Sequence, residues 1–443
     1  MKRAGGFSLD AKIAELCNAR KRARRLTTGP QLGGFRLVDK ATMKDWRIPI
    51  PSCGQDGSSP SSALPRGASV LQIFLQIFQP EILHMLALSH PGVPCASERV
   101  LFEAWSLYIY VQFSIPRSRR GSTRFPLENA FDAAKNKLKE SSGRLRLMDY
   151  ETWSKILSCS YFTEEFVRGP LSSSLEKIVD YGGIVTLDEK LRGYSGLNSP
   201  CTITCPSKPD GSGLWASELG VILHKTELPF VTRIYPITVC TATGEHQRVS
   251  DIVDWATDNL PQQMDRSKPA FVLDARYLDK RGYDILKEKG VRFLASVNPV
   301  WFSDLSEALK PEVKSPGDWA ALQNGEELFV HYYSPVRRIG KRFILTDAFK
   351  EQRKKLPKDS CPCWDAYHVM FGVLDRFNAR MSDHYWPYRR MNWWMAFHDL
   401  VFSIIFVDIY HIYCEIHADS LGENFQTVME RLAIDLFLHA QSL

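Results

Sequence analysis

The sequence has few cysteines, little net charge and no uninterrupted apolar run long enough to span a bilayer. Ten cysteines among 443 residues lie far below the density of a disulfide scaffold. A formal net charge of +6, from 56 basic and 50 acidic side chains, does not by itself imply a nucleic-acid partner. We find no secretory signal and no Walker-type phosphate loop. An apolar fraction of 44% excludes a mostly disordered chain, and the length indicates roughly two to four domains.

Two segments are apolar enough to be tested as membrane spans. Val70–Leu88 contains polar side chains, among them Gln72, Gln76, Glu81 and His84, and is interrupted by Pro80. Phe402–Tyr413 is shorter than the ~20 residues that a bilayer requires, and it contains Asp408. We therefore predict that both are core helices of a soluble intracellular protein without a membrane partner.

The first 66 residues are predicted to form a disordered tail, because residues 51–66 are rich in Ser, Pro and Gly. The tail also carries a basic cluster, Arg20, Lys21, Arg22, Arg24 and Arg25. Such a cluster is typical of a nuclear localisation signal or of a non-specific contact with phosphates, and equally of a solvated tail. We predict a nuclear location on this basis.

Beyond the tail, the apolar periodicity changes from helical to strand-like near Gly182. It predicts a helical domain over 67–181, an α/β core over 182–300, a β-rich basic insertion over 301–360 and closing helices over 361–443. Phe329–Tyr333 and Phe343–Thr346 are predicted to form an antiparallel pair within the insertion.

A β-α-β unit is predicted inside the α/β core. The strand Phe271–Leu273 ends at Asp274, and the helix Asp279–Gly290 and the strand Val291–Val297 follow. Asp274 then lies at the carboxyl end of a strand, where the catalytic groups of α/β proteins gather.

Asp375 is the second candidate metal ligand. Apolar residues flank it in its predicted helix, and a carboxylate in such surroundings needs an ion-pair partner or a bound cation. Oxygen ligands of this kind suit Mg²⁺. The alternative is structural: Asp375 pairs with Arg376 or Arg380, and Asp274 caps the turn that follows it.

Residues 337–358 contain nine basic and two acidic side chains, an excess that is larger than the +6 of the whole chain. This basic stretch is the best candidate for a phosphate-binding surface, and a solvated hairpin is the alternative. The residues expected to bind nucleic acid are Arg337, Arg338, Lys341, Arg342, Arg353, Lys354 and Lys355.

The cysteine and histidine patterns are weak. Cys201 with Cys205, and Cys361 with Cys363, lack the two-residue spacing that is common in zinc sites, so no zinc is expected. His398 and His411 lie in an aromatic-rich predicted helix and are interpreted as core histidines.

Several blocks together resemble the piggyBac family of DNA transposases, over roughly residues 70–417. The blocks, in chain order, are VTLDEKLRGYSG at Val185–Gly196, PSKPDGSG at Pro206–Gly213, the β-α-β unit at Phe271–Val297, GVLDRFNARM at Gly372–Met381 and the helical segment Trp386–Tyr413. The resemblance implies an RNase H-like α/β catalytic domain embedded in a mostly helical dimerisation and DNA-binding domain.

In that family three aspartates hold two Mg²⁺ ions, and the proteins form dimers on DNA. By position, Asp274 matches the second aspartate and Asp375 the third, while Asn378 stands where the family has a further aspartate. The first aspartate is expected near Val221, yet no aspartate lies between Asp210 and Asp251.

Glu218 is the nearest substitute for the first aspartate, but three residues separate it from Val221. In a regular strand the two side chains would face opposite sides, so a bulge would be needed. The family's cysteine-rich C-terminal domain also has no counterpart in residues 418–443.

The sequence therefore predicts a transposase-derived, DNA-binding protein with impaired catalysis. One alternative is an active metal-dependent transposase or nuclease that uses Glu218, Asp274 and Asp375. The other is a protein-interaction scaffold without metal or DNA.

Overall fold

The fold is mixed α/β, and a long buried helix lies between a twisted sheet and a helical layer. The structure is a computed structural model. It describes residues 67–78, 98–114, 127–143, 147–159, 181–194, 202–204, 212–223, 225–226, 228–236, 249–258, 260, 271–274, 277–278, 280–297, 319–321, 329–333, 342–346, 367, 373–381, 393–418 and 423–443.

The described helices are numbered in chain order. They are α1 (Val70–Ile73), α2 (Glu98–Ile109), α3 (Leu127–Ser142), α4 (Tyr150–Cys159), α5 (Val249–Asp258), α6 (Lys280–Glu288), α7 (373–381), α8 (Trp393–Ile416) and α9 (Phe425–Ser442). Single π-helical segments, Phe74–Phe78 and Tyr110–Ser114, continue α1 and α2.

The described strands belong to one nine-stranded sheet. They are β1 (Tyr181–Tyr194), β2 (Thr202–Thr204), β3 (Ser212–Leu223), β4 (Pro229–Pro236), β5 (Phe271–Leu273), β6 (Phe293–Val297), β7 (Trp319–Ala321), β8 (Phe329–Tyr333) and β9 (Arg342–Thr346).

The strand order is β2-β3-β1-β5-β6-β9-β8-β7, and β4 pairs with β3 beside β2. β1 runs antiparallel to β3 and parallel to β5, and β5 runs parallel to β6. The predicted β-α-β unit is confirmed, as is the antiparallel pairing of β8 with β9. The domain boundaries remain predictions.

Helix α8 is the centre of the fold. Its residues from Leu400 to Tyr413 are all buried, which fits a helix that is apolar on every side. On one side it contacts β3 and β4, and on the other it packs against α1 and α9. Rings from α1, α2 and α8 form an aromatic core, in which Phe74 stacks on Phe406 at 6.4 Å and Trp105 lies 6.1 Å from Phe402.

Both segments tested as membrane spans contribute helices to this core where the structure describes them, as predicted. Among the described helices, none combines the length and the apolar character that a membrane span requires. The C-terminal helix α9 lies within the range 361–443, for which closing helices are predicted. Its N-cap is Asn424, whose side chain accepts a hydrogen bond from the backbone N–H of Thr427 at 2.9 Å.

Polar side chains of α8 hold the β3–β4 hairpin. Asp408 accepts a hydrogen bond from the backbone N–H of Val231 at 3.0 Å. Seven residues later, Glu415 accepts the backbone N–H groups of Lys225 and Thr226, at 2.7 and 2.8 Å. These groups lie on the hairpin turn and on the strand β4, so α8 covers backbone that would otherwise be an open edge.

Glu415→Ala is expected to lower the free energy of unfolding by about 1–3 kcal/mol, because it removes the acceptor of two part-buried backbone N–H hydrogen bonds. Glu415→Gln keeps one side-chain oxygen and should lose less. Urea denaturation of the three proteins measures the difference. Equal stability of the alanine variant and the wild type would contradict this role for Glu415.

Candidate functional site

Two aspartates follow directly after neighbouring parallel strand segments. Leu187 of β1 pairs with Leu273 of β5, and the next residues along the two strands are Asp188 and Asp274. Since parallel neighbours lie ~4.8 Å apart, both carboxylates start from the same face of the sheet, at the level where β5 ends and β1 continues. Asp188 and Asp274 are both partly exposed. We call these two residues the carboxylate pair.

Asp188 is a residue that the sequence argument missed as a candidate. The first aspartate was expected on the strand 212–223, which is β3, but the strand that lies beside β5 is β1. A signal was present, because Ile184–Leu187 and Phe271–Leu273 are both short apolar runs that end at an aspartate. The pairing of these two strands is a long-range property, and the local pattern did not reveal it.

The backbone turn after Asp274 is fixed by a buried tyrosine. The N–H of Tyr277 donates to the carbonyl oxygen of Asp274 at 2.9 Å, which closes the turn. Its phenol oxygen lies 3.1 Å from the hydroxyl of Ser217 on β3. Tyr277 therefore ties the end of β5 to a strand on the far side of β1, and this holds Asp274 beside Asp188.

Glu218 is fully buried on β3, opposite Asp188 in the antiparallel register. Its neighbourhood includes Asp408 of α8, which is also fully buried. Burial raises the pKa of Asp408 well above its ordinary value, and the charge of Glu218 adds to the increase. The structure thus places Glu218 in the protein core, whereas Asp188 and Asp274 are accessible to solvent.

Helix α7 carries Asp375 and packs on the same face of the sheet as the carboxylate pair. Gly220 of β3 lies two residues from Glu218, and a Cβ at Gly220 would meet Leu374 Cδ2 at 2.8 Å. Asp375 itself is exposed. The expectation that it lies on an apolar helix face was wrong, because the buried face of α7 consists of Val373, Leu374, Phe377 and Met381.

The donor set was tested against a divalent cation. Within the described ranges, no three His, Cys, Asp or Glu side chains lie close enough together to hold a metal ion. The carboxylate pair offers oxygen donors from two adjacent strands, and Mg²⁺ is often bound by one or two carboxylates with water. These two residues fit one such ion, while Asp375 does not join them in this arrangement.

The basic stretch falls almost entirely outside the described residues. Arg342 begins β9, where its backbone pairs with Tyr333, and nothing is described for the other residues predicted to bind nucleic acid. The four cysteines considered for zinc and the basic cluster of the tail also lie outside the described part of the chain. His411 is buried, as predicted for a core histidine.

Gly220→Ala is expected to lower the free energy of unfolding by about 1–3 kcal/mol, since the added methyl group overlaps Leu374. The matched test is the double variant Gly220→Ala/Leu374→Ala, which removes the atoms that clash. We expect Gly220→Ala to lower the free energy of unfolding by clearly less in the Leu374→Ala background than in the wild type, as measured by chemical denaturation. Additive costs would contradict the close packing of α7 on β3.

Comparisons with known proteins give a fold and no more. No protein-family model matches the chain, and no curated protein matches it. A solved structure is similar, the cryo-EM structure of a piggyBac transposase synaptic complex with hairpin DNA. Its TM-score is 0.61 at 14% identity, over 85% of this chain and 82% of that chain. The chain therefore has a fold like that of a piggyBac transposase.

Proposed function

We propose that this chain is a transposase-derived protein that binds DNA and cleaves its phosphodiester bonds with a divalent metal ion held at the carboxylate pair. The observation that supports this proposal is the register of β1 with β5, which brings Asp188 and Asp274 side by side on one face of the sheet. The solved structure with a similar fold contains a transposase and hairpin DNA, which favours DNA as the substrate.

In this proposal Asp188 takes the role of the first carboxylate, Asp274 the second and Asp375 the third. Mg²⁺ is the expected cofactor. Asp188 and Asp274 would hold a divalent ion there, and the ion would activate the attacking water and stabilise the charge on the leaving 3′-oxygen. The residues of the chain position the reactants: the turn closed by Tyr277 orients Asp274, and the long pairing of β1 with β3 makes the position of Asp188 rigid.

Impaired catalysis, as expected from the sequence, needs a different cause in this proposal. Asp188 supplies the carboxylate that was missing, so Glu218 is not required to replace it. Asp375 is exposed, and among the described residues no three metal-binding side chains lie close enough together to hold an ion. In this proposal the third position therefore limits the activity.

A second candidate function is DNA binding without cleavage. It is favoured by the absence of any three-residue metal cluster among the described residues. The two functions differ in one measurement, the nicking of supercoiled DNA with Mg²⁺ or Mn²⁺. The proposed enzyme nicks DNA only when the metal is present, whereas a binding protein leaves the DNA intact at protein concentrations that saturate binding.

DNA binding itself is expected to depend on the basic stretch and to weaken with salt. The triple variant Arg353→Gln/Lys354→Gln/Lys355→Gln should reduce the slope of log K against log[salt] by about one for each phosphate contact that is lost. The control, Lys135→Gln/Lys137→Gln/Lys139→Gln on α3, removes the same charge elsewhere. Equal effects of the two triple variants, or no salt dependence in the wild type, would contradict a local DNA-binding surface.

A further inference from the structure

Helix α7 is held against the rest of the protein at three points. Leu374 packs on Gly220 of β3, where an added Cβ would lie 2.8 Å from Leu374 Cδ2. The ring of Phe377 meets the ring of His411 on α8 edge to face, with centroids 5.4 Å apart. At the C-terminal end of α7, Nη1 of Arg380 lies 2.5 Å from Nε2 of His411.

The imidazole of His411 joins α7 to β4. Its Nδ1 lies 2.5 Å from the carbonyl oxygen of Pro229, which can only accept, so Nδ1 carries the proton. Nε2 is then the acceptor for the guanidinium of Arg380, which can only donate. Burial, with a further contribution from Arg380, lowers the pKa of His411 to about 3. His411 therefore stays neutral near pH 7, and both hydrogen bonds persist.

Aromatic rings hold Arg380 from another direction. Its guanidinium carbon lies 4.8 Å from the ring centroid of Tyr410 and 6.0 Å from that of Phe425. These are cation–π distances, and the first is close. The hydroxyl of Tyr410 in turn donates to the backbone carbonyl of Glu423 at 2.9 Å. Arg380 thus has a fixed position, although it belongs to the short helix that carries Asp375.

We propose that Arg380 and His411 are positioning residues, which fix the orientation of α7 and thereby the place from which Asp375 reaches the carboxylate pair. This inference rests on the proposed function. Since α7 is a rigid helix, fixing it at Leu374, Phe377 and Arg380 also fixes the Cα–Cβ direction of Asp375. Asp375 follows Leu374, which packs on Gly220 at the same face of the sheet as the carboxylate pair, and its exposed side chain can change rotamer.

The test compares variants at the two ends of this contact. Arg380→Gln removes the cation. His411→Asn keeps a donor close to the position of Nδ1 and removes the acceptor for Arg380. Arg380→Lys is the conservative variant. The control is Arg376→Gln, which removes the same charge from an exposed position on α7 next to Asp375.

Two readouts are taken on the full-length chain. The affinity for Mn²⁺ alone is measured by electron paramagnetic resonance, and amide hydrogen exchange is followed in peptides that cover 373–381. We expect Arg380→Gln and His411→Asn to weaken Mn²⁺ binding by about 10–100-fold and to speed exchange in α7, with partial rescue in Arg380→Lys. Arg376→Gln should leave exchange in α7 unchanged and should not weaken Mn²⁺ binding.

The possible failures can be distinguished. Faster exchange in α7 with Mn²⁺ affinity within twofold of the wild type would overturn the positioning role and leave the proposed function intact. Unchanged exchange in α7 would overturn it as well. If the wild type binds no Mn²⁺, the proposed function is wrong, and this inference is wrong with it. If Arg380→Gln does not fold, Arg380→Lys and His411→Asn decide the matter.

Discussion

Asp188→Asn is expected to lower Mg²⁺-dependent cleavage of DNA by roughly 10³-fold, which is the loss of ~4 kcal/mol of transition-state stabilisation. Asparagine has almost the same shape as aspartate, so the change removes a negative charge and one metal-binding oxygen with little effect on packing. Single-turnover nicking of supercoiled plasmid measures the rate, and DNA affinity should stay within a few fold of the wild type.

Glu218→Gln provides the comparison, because Glu218 was the candidate that the sequence offered for this role. It is fully buried and lies opposite Asp188 in the register of β1 with β3. We expect cleavage to survive Glu218→Gln and to be lost with Asp188→Asn. The reverse pattern would show that the carboxylate of β3 is the catalytic one, and that the assignment of Asp188 is wrong.

Asp408→Asn is expected to change the pH dependence of stability. Burial raises the pKa of Asp408 well above its value in the unfolded chain, so the folded protein holds this proton more tightly. The stability that results is fully present below the unfolded pKa of ~3.8 and is lost as the pH rises through the folded pKa. Across that window the free energy of unfolding falls by up to ~1.4 kcal/mol per pH unit.

Asparagine at position 408 keeps an oxygen for the N–H of Val231 and has no proton to lose. The Asp408→Asn variant should therefore gain stability over the wild type as the pH rises from 5 to 8. Urea denaturation at four pH values measures this difference. Asp132→Asn, on an exposed position of α3, is the control. A constant difference between Asp408→Asn and the wild type at all four pH values would contradict the raised pKa.

Local patterns predicted much of the α/β core. The run Phe271–Leu273 followed by Asp274, and the helix that ends before Gly290, carry their own strand, cap and turn signals. Gly290 has a φ of 63°, which explains why glycine ends that helix. The bounds of β5 in the structure are those predicted from the sequence.

The features that the sequence did not predict depend on long-range packing. The strand next to β5 is determined by the pairing of Leu187 with Leu273, which are 86 residues apart in the sequence. No local periodicity encodes this pairing, so Asp188 was overlooked. The exposure of Asp375 depends on which side of α7 meets Gly220 and His411. His411 was interpreted as a core residue, and its two hydrogen bonds to Pro229 and Arg380 come from separate segments of the chain.

The central claim is that Asp188 and Asp274 together bind a divalent cation. Anomalous diffraction from crystals of the full chain soaked in Mn²⁺ tests it most directly. We predict an anomalous peak that lies about 2.0–2.2 Å from one carboxylate oxygen of Asp188 and from one of Asp274. The peak should be absent from crystals of Asp188→Asn. The absence of a peak between Asp188 and Asp274 at saturating Mn²⁺, whether or not Mn²⁺ binds elsewhere, would contradict this claim.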